Sequence, residues 1–260
     1  MASSNLLAQK GLTRKGRGLL LAYDHGFEHG PVDFDGQSID PTFIMEIADS
    51  GFFTGVVLQK GVAEKYYDPQ KHQVPLILKL NGKTAFHKDE EPYSPQICSV
   101  AEAADLGAAA VGYTIYVASE KETDMMKEFS QIEEQAHDKN LAVIGWMYPR
   151  GSHVPDDTDP QVLAYAARLG LELGADAIKI KYTGDPESFS WVVQAAGRTQ
   201  VFVVGGSKTS QGQLIQQTQE ILSVGAAGWA IGRNIWQAKH PLAIAERLAT
   251  LVYSHPVPDS

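Results

Sequence analysis

The chain has 260 residues, 43% apolar and 20% charged, with 24 glycines; this is the composition of a folded globular protein with many tight turns and excludes a disordered one. Its formal net charge of -9 disfavours nucleic acid and anionic membrane as main partners, because a phosphate backbone selects basic faces. Cys98 is the only cysteine, so no internal disulfide and no cysteine-rich zinc site can form, a usage that fits the reducing cytoplasm.

In chain order, short apolar and β-branched runs recur: GLLLAY from Gly18, GVVLQ from Gly55, LILKL from Leu76, AAVGYTI from Ala109, LAVIGWM from Leu141, AIKIK from Ala177, VFVV from Val201 and GWAI from Gly228. All are far short of the roughly 20 residues of a membrane helix, and no cleavable signal peptide is apparent, so neither anchoring nor export is expected. Helix-like segments such as EKETDMMKEFSQIEEQAHDKN and PQVLAYAARLGLELG separate them, and that alternation predicts parallel βαβ units. LGAAAVGY, LGADAIKI and VGAAGWAI repeat one joint, in which glycine suits the left-handed residue after a helix and small alanines let the chain turn into the sheet. Eight such units without a linker predict an α/β fold, a single (β/α)8 barrel over 1–260, with a lead-in at 1–17 and a flexible tail at 254–260. An open doubly wound sheet fits less well: the turn after the first run, DHGFEHGP, is no G-x-G-x-x-G.

Reactive residues of such a barrel lie at the carboxyl ends of its strands. Asp24 follows the first run, where a carboxylate could orient substrate hydroxyls or balance a lysine. The next residues, HGFEH, match the H-x-x-E-H zinc motif, which needs both histidines on one helical face. Gly26 inside it, and Gly30 with Pro31 after it, oppose a sustained helix. A loop is expected instead, in which His25, Glu28 and His29 bond Asp24, the loop backbone or a polar substrate, with no metal.

Lys79 ends the third run, before Asn81, and is one candidate amine. In the fifth, alternation places Trp146 with Tyr148, whose phenol can donate and accept protons, followed by Pro149 and Arg150. In AIKIK, Ile178 and Ile180 want the helix layer, which leaves Lys179 and Lys181 facing the interior. Desolvation and mutual repulsion lower a lysine's pKa and make a neutral, nucleophilic amine accessible. Parity cannot rank Lys79, Lys179 and Lys181. The last two runs lead into VVGGSKTS and AIGRN, glycine loops where Gly205, Gly206, Ser207, Lys208, Gly232 and Arg233 could cradle a phosphate.

Together, AYDHGFEHGP, EKYYD, LILKLNGKT, GYTIY, WMYPRG, KIKYTGDP, GGSKT and GRNIWQ resemble the archaeal-type class I fructose-bisphosphate aldolases of the DhnA/DeoC-like group, in family order from Ala22 to Gln237. The resemblance implies a (β/α)8 barrel that needs no metal or other cofactor, acts on a phosphosugar through a Schiff base, and forms homo-oligomers built on pentameric rings, decamers included. Carried over by position, it marks Lys179 as the Schiff-base residue with Lys181 its neighbour. It also marks Tyr148 as the proton-transfer group, Trp146 as the aromatic beside it, and Asp24 as the aspartate near the reacting carbons. The glycine loops are then the site for the phosphate next to the ketone, and Arg150 and Lys83 are candidates for the distal one. A transaldolase-like synthase, making 2-amino-3,7-dideoxy-heptulosonate for aromatic biosynthesis, shares this logic, but its relatives read K-T-x-Y where this chain has K-I-K-Y. A non-catalytic phosphosugar-binding barrel is the remaining alternative.

Overall fold

The structure is a computed structural model that describes residues 6–87 and 90–256. Eight parallel strands close on themselves in chain order: β1 Gly18–Ala22, β2 Gly55–Gln59, β3 Leu76–Lys79, β4 Ala110–Val117, β5 Ala142–Pro149, β6 Ala177–Ile180, β7 Gln200–Val204 and β8 Gly228–Ile231. Closure comes from β8 lying beside β1, with Gly228 opposite Gly18 and Ile231 opposite Leu21. Each of the eight apolar runs is a strand, and the (β/α)8 fold read from their alternation is the one observed.

The helices are α1 Leu6–Gln9, α2 His25–Glu28, α3 Pro41–Ala48, α4 Lys60–Tyr66, α5 Val100–Asp105, α6 Glu122–Asp138, α7 Pro160–Glu172, α8 Pro186–Ala195, α9 Gln211–Ser223, α10 Arg233–Trp236 and α11 Pro241–Ser254. Three of them open on Asp-Pro. The proline supplies a preset φ at the first helical position, and the aspartate accepts an otherwise orphaned amide: Asp40 from Thr42, Asp159 from Gln161 and Asp185 from Ser188. The repeated glycine joint also holds, since Gly107, Gly174 and Gly225 take φ of +73°, +81° and +95°.

Alternation sorts the strand side chains into two cores. Leu20, Val57, Ile77, Ala142, Ala177 and Phe202 fill the barrel with Trp146, while Leu19, Leu21, Leu78, Ile178 and Ile180 pack under the helices. Leu7 and Leu12 of the lead-in join the inner cluster and close its floor. There, the buried Arg17 donates to the Ala226, His255 and Pro256 carbonyls, clasping the end of the described chain. The rest of the tail expected to be flexible, 257–260, lies outside the described residues.

The large indole of Trp146 fits inside so narrow a barrel because β4 offers no side chain at Gly112. A Cβ there would lie 2.1 Å from Cζ3 and 2.2 Å from Cη2 of Trp146. Gly112→Ala must therefore displace the ring, and overpacking of this kind costs about 1–3 kcal/mol. We expect a lower thermal unfolding midpoint together with reduced activity, because the same ring faces the reactive amine. A variant with wild-type unfolding and turnover would show that the ring has room to move.

Candidate active site

One cleft opens at the carboxyl ends of the strands. Asp24, His25, Glu28 and His29 enter it from the segment after β1, and Trp146, Tyr148 and Arg150 from the end of β5. Lys179 and Lys181 come from β6 and the residue beyond it; Gly205, Gly206, Ser207, Gly232 and Arg233 follow β7 and β8. Of the positions singled out in the sequence, Lys79, Lys83 and Lys208 do not line it, and Lys208 is turned away from it. Its Nζ donates to the Gln237 carbonyl at 2.7 Å, because the left-handed turn at Gly206 and the start of α9 carry the chain away.

Lys179 is 4% exposed. Its strand register places it beside Trp146 on β5 and Phe202 on β7, and its Nζ sits 4.9 Å from the centroid of the Trp146 ring. Among the described residues the amine makes no hydrogen bond and no ion pair. Burial pushes its pKa below the ordinary lysine value, with Asp24 and Glu28 pulling the other way. A buried amine facing a cleft with its lone pair unengaged is a nucleophile in waiting.

Asp24 and Tyr148 complement it. Burial disfavours ionisation of Asp24, yet Lys179, then His25 and Lys79, hold its carboxyl below the usual carboxylate range, so it is anionic at neutral pH. Burial raises the Tyr148 phenol well above its ordinary value, and the charges of Asp24 and Glu28 raise it further, so it keeps its proton. His25 is neutral: burial drives its imidazole down to about 4 against the pull of Asp24. The cleft thus assembles a buried amine whose pKa is lowered, a protonated phenol and an ionised carboxylate.

The HGFEH segment departs from the expected loop. His25–Glu28 forms a single helical turn, closed by the His29 amide on the His25 carbonyl at 2.9 Å, and Gly30 at φ +68° then ends it. One turn needs no more than one such bond, so the glycines limit the helix without preventing it. Nor does either histidine hydrogen-bond Asp24. His29 Nδ1 lies 2.5 Å from Asp33 Oδ2, and His25 Nδ1 stands 4.0 Å from Asp24 and has no hydrogen-bond partner among the described residues.

Lys181 also differs from expectation. β6 ends at Ile180, and the Lys181 ammonium is held at the cleft rim by Asp157 from the loop after β5. The second buried lysine of the interior is Lys79, which is 1% exposed.

The glycine loops are clamped together by Asn234, which the sequence reading overlooked. Its Nδ2 donates to the Gly205 carbonyl at 2.7 Å and the Ser207 carbonyl at 3.0 Å, while its Oδ1 accepts from the Thr209 amide at 2.8 Å. Gly232 has no room for a side chain, since a Cβ would lie 2.5 Å from the Ala22 carbonyl. Arg233 faces the same end, bound to Asp33 at 3.3 Å and with its buried Nε unpartnered among the described residues. Across the barrel mouth, Arg150 and Lys83 lie over the Tyr116 ring at 5.1 and 5.8 Å. Arg150 borders both the cleft and an adjoining pocket that Lys83 shares. A cationic group at each end of a cleft with an amine between them suits a substrate carrying two anionic ends.

A profile of DeoC/LacD family aldolases matches residues 19–238. The chain belongs to that family. This aldolase is 51% identical over 243 residues to the fructose-bisphosphate aldolase class 1 of Thermoproteus tenax, covering 92% of this chain and 91% of that one. It is 43% identical over 244 residues to the enzyme of the same name from Halobacterium salinarum, covering 93% and 92%. Among solved structures, an archaeal fructose-1,6-bisphosphate aldolase with its catalytic lysine bound covalently to the carbinolamine intermediate matches at a TM-score of 0.92 and 48% identity, covering 96% and 99%. No helix of the aldolase, among the described residues, is long and apolar enough to cross a membrane.

Proposed function

We propose that this aldolase reversibly cleaves fructose 1,6-bisphosphate to dihydroxyacetone phosphate and glyceraldehyde 3-phosphate, with Lys179 as its Schiff-base residue. The reading is carried by the Lys179 amine, buried and without a hydrogen-bond partner among the described residues, at a cleft that it shares with Tyr148 and Asp24. The relatives named as fructose-bisphosphate aldolases support the substrate.

Neutral Lys179 adds to the C2 ketone, and loss of water from the carbinolamine leaves a cationic iminium. That cation draws in the electrons of the C3–C4 bond, giving an enamine and freeing glyceraldehyde 3-phosphate as the C4 hydroxyl proton departs. In condensation the protonated Tyr148 donates to the aldehyde oxygen; in cleavage the phenol first releases its proton to water once the iminium has formed, and the tyrosinate then takes the C4 hydroxyl proton. The positive iminium beside it offsets the cost of the tyrosinate. Asp24 orients the hydroxyls near the reacting carbons, and Trp146 fixes the amine. Protonation of the enamine and hydrolysis release dihydroxyacetone phosphate.

Gly205, Gly206, Ser207, Gly232 and Arg233 hold the phosphate next to the ketone, while His25 and His29 border the sugar. Arg150 and Lys83 take the distal phosphate. The single cysteine fits the cytoplasm. A pentamer-based homo-oligomer follows from the family resemblance, and Tyr165 and Trp191, each 60% exposed on the adjoining α7 and α8, suit a subunit contact.

Turnover of fructose 1,6-bisphosphate, fructose 1-phosphate and deoxyketohexose phosphates in excess EDTA tests this reading. The bisphosphate is expected to be the preferred substrate, with activity undiminished by the chelator. Negligible bisphosphate turnover with retained cleavage of the deoxy sugars would move the chain to the transaldolase-like synthases. Binding without turnover would make it a phosphosugar-binding barrel.

A further inference from the structure

Three loops of the barrel mouth meet on one carboxylate that stands outside the cleft. Glu91, in the loop after β3, accepts the Ser152 amide on Oε1 at 2.9 Å and the Glu120 amide on Oε2 at 3.4 Å. Ser152 belongs to the loop after β5 and Glu120 to the loop after β4. Both contacts need an acceptor, which an ionised carboxylate supplies from either oxygen and a side-chain amide from one alone. The approach is close: Gly151, between Arg150 and Ser152, takes φ +143°, and a Cβ there would lie 3.0 Å from Glu91 Oε2 and 3.1 Å from the Ala118 carbonyl.

Glu91 is itself held in place by the three residues that follow it. The Ser119 hydroxyl donates to the Pro92 carbonyl at 2.7 Å, the Tyr93 hydroxyl to Glu128 of α6 at 2.6 Å, and Asn81 Nδ2 to the Ser94 carbonyl at 2.7 Å. The carboxylate is therefore a fixed point, and the loop after β5 is the part that it steadies.

What that loop carries is Arg150. Its amide donates to the Val117 carbonyl at 3.0 Å, and its guanidinium lies 5.1 Å from the centroid of the buried Tyr116 ring. Lys83, from the same loop as Glu91, lies over that ring at 5.8 Å. Among the described residues neither cation pairs with a carboxylate, so both charges stay available to an anion. A guanidinium binds a phosphate best through two parallel N–H···O bonds, a geometry that a small turn of the backbone spoils.

We propose that Glu91 is a positioning residue that sets selectivity for a bisphosphate: by fixing Gly151 and Ser152 it aims the Arg150 guanidinium at the distal phosphate. It does not line the cleft and acts only on the end of the substrate far from Lys179. The inference rests on the reading of Arg150 as a ligand of that phosphate.

The test measures kcat and KM for fructose 1,6-bisphosphate and for fructose 1-phosphate, which lacks the distal phosphate, in the intact chain, Glu91→Gln, Arg150→Ala and the double variant. Glutamine keeps the volume but turns an NH2 group toward one of the two amides. Glu91→Gln is expected to lose about tenfold in kcat/KM for the bisphosphate, mainly through KM. Its kcat/KM for fructose 1-phosphate, and borohydride trapping of dihydroxyacetone phosphate on Lys179, should stay within about twofold of the parent, and the loss on the bisphosphate should shrink to about twofold once Arg150 is alanine. A merely structural role would lower both substrates alike. Equal losses on the two substrates, no loss on the bisphosphate, or a full loss that persists without Arg150 each overturn the proposal. Gly151→Ala disturbs the same contact from the other side and is expected to show the same split, so the decision does not depend on one variant folding. If Arg150→Ala leaves bisphosphate turnover unchanged, the distal-phosphate reading itself fails, and this inference with it.

Discussion

Lys179→Met is expected to abolish aldol cleavage, with kcat/KM lowered on the order of 10⁴-fold or more, the scale seen when a covalent nucleophile is removed. The substitution is chosen to isolate the chemistry. Methionine is close to lysine in length and flexible, and replaces an amine that makes no hydrogen bond among the described residues, so none of their buried groups is orphaned and the place beside Trp146 and Phe202 is kept. The variant should therefore fold with undiminished stability, since burying a thioether in this interior costs less than burying an amine that has no hydrogen-bond partner among the described residues. It should still bind dihydroxyacetone phosphate, because the clamped glycine loops are untouched, yet borohydride should trap nothing. Turnover within tenfold of the parent would remove the central element of the proposed mechanism.

Tyr148→Phe is expected to separate adduct formation from bond breaking. The phenol is kept protonated by burial and by Asp24 and Glu28, so its contribution is a proton delivered to, or recovered from, the substrate oxygen. Loss of such a group lowers the rate by about 10²–10⁴-fold. Lys179 keeps its environment, so borohydride should still trap the dihydroxyacetone phosphate adduct. Release of glyceraldehyde 3-phosphate from the bisphosphate, and its condensation in reverse, should both collapse. If trapping falls as steeply as cleavage, Tyr148 serves iminium formation rather than proton transfer at C4.

What could be read from the sequence followed the reach of its local rules. Strands such as GVVLQ and GWAI were legible because a barrel strand is buried on both faces and reads as an unbroken apolar run, and parity correctly turned Lys179 inward. Parity reports a face and says nothing of depth or partners. It could not show that Lys181, two residues on, would be drawn to the rim by Asp157, or that the second buried amine would come from β3. Those outcomes depend on residues 24 and 100 positions away in the chain. Gly112 was detectable in principle, since a glycine within an apolar strand marks a close approach, but its partner Trp146 was not. Asn234 lay in a quoted motif, GRNIWQ, whose neighbours drew attention as phosphate ligands. Its role as a clamp emerges only when two loops of the chain meet.

The pairing of β1 with β8 has a bearing on how the molecule comes into being. Gly18 cannot find Gly228 until β8 has left the ribosome, and the carbonyls of His255 and Pro256 that Arg17 clasps arrive later still. A nascent chain halted short of β8 presents two raw sheet margins, competent to pair with other unfinished copies. Closure thus waits on the last strand, and a chain cut before β8 loses Gly232 and Arg233 of the cleft together with its protection from self-association.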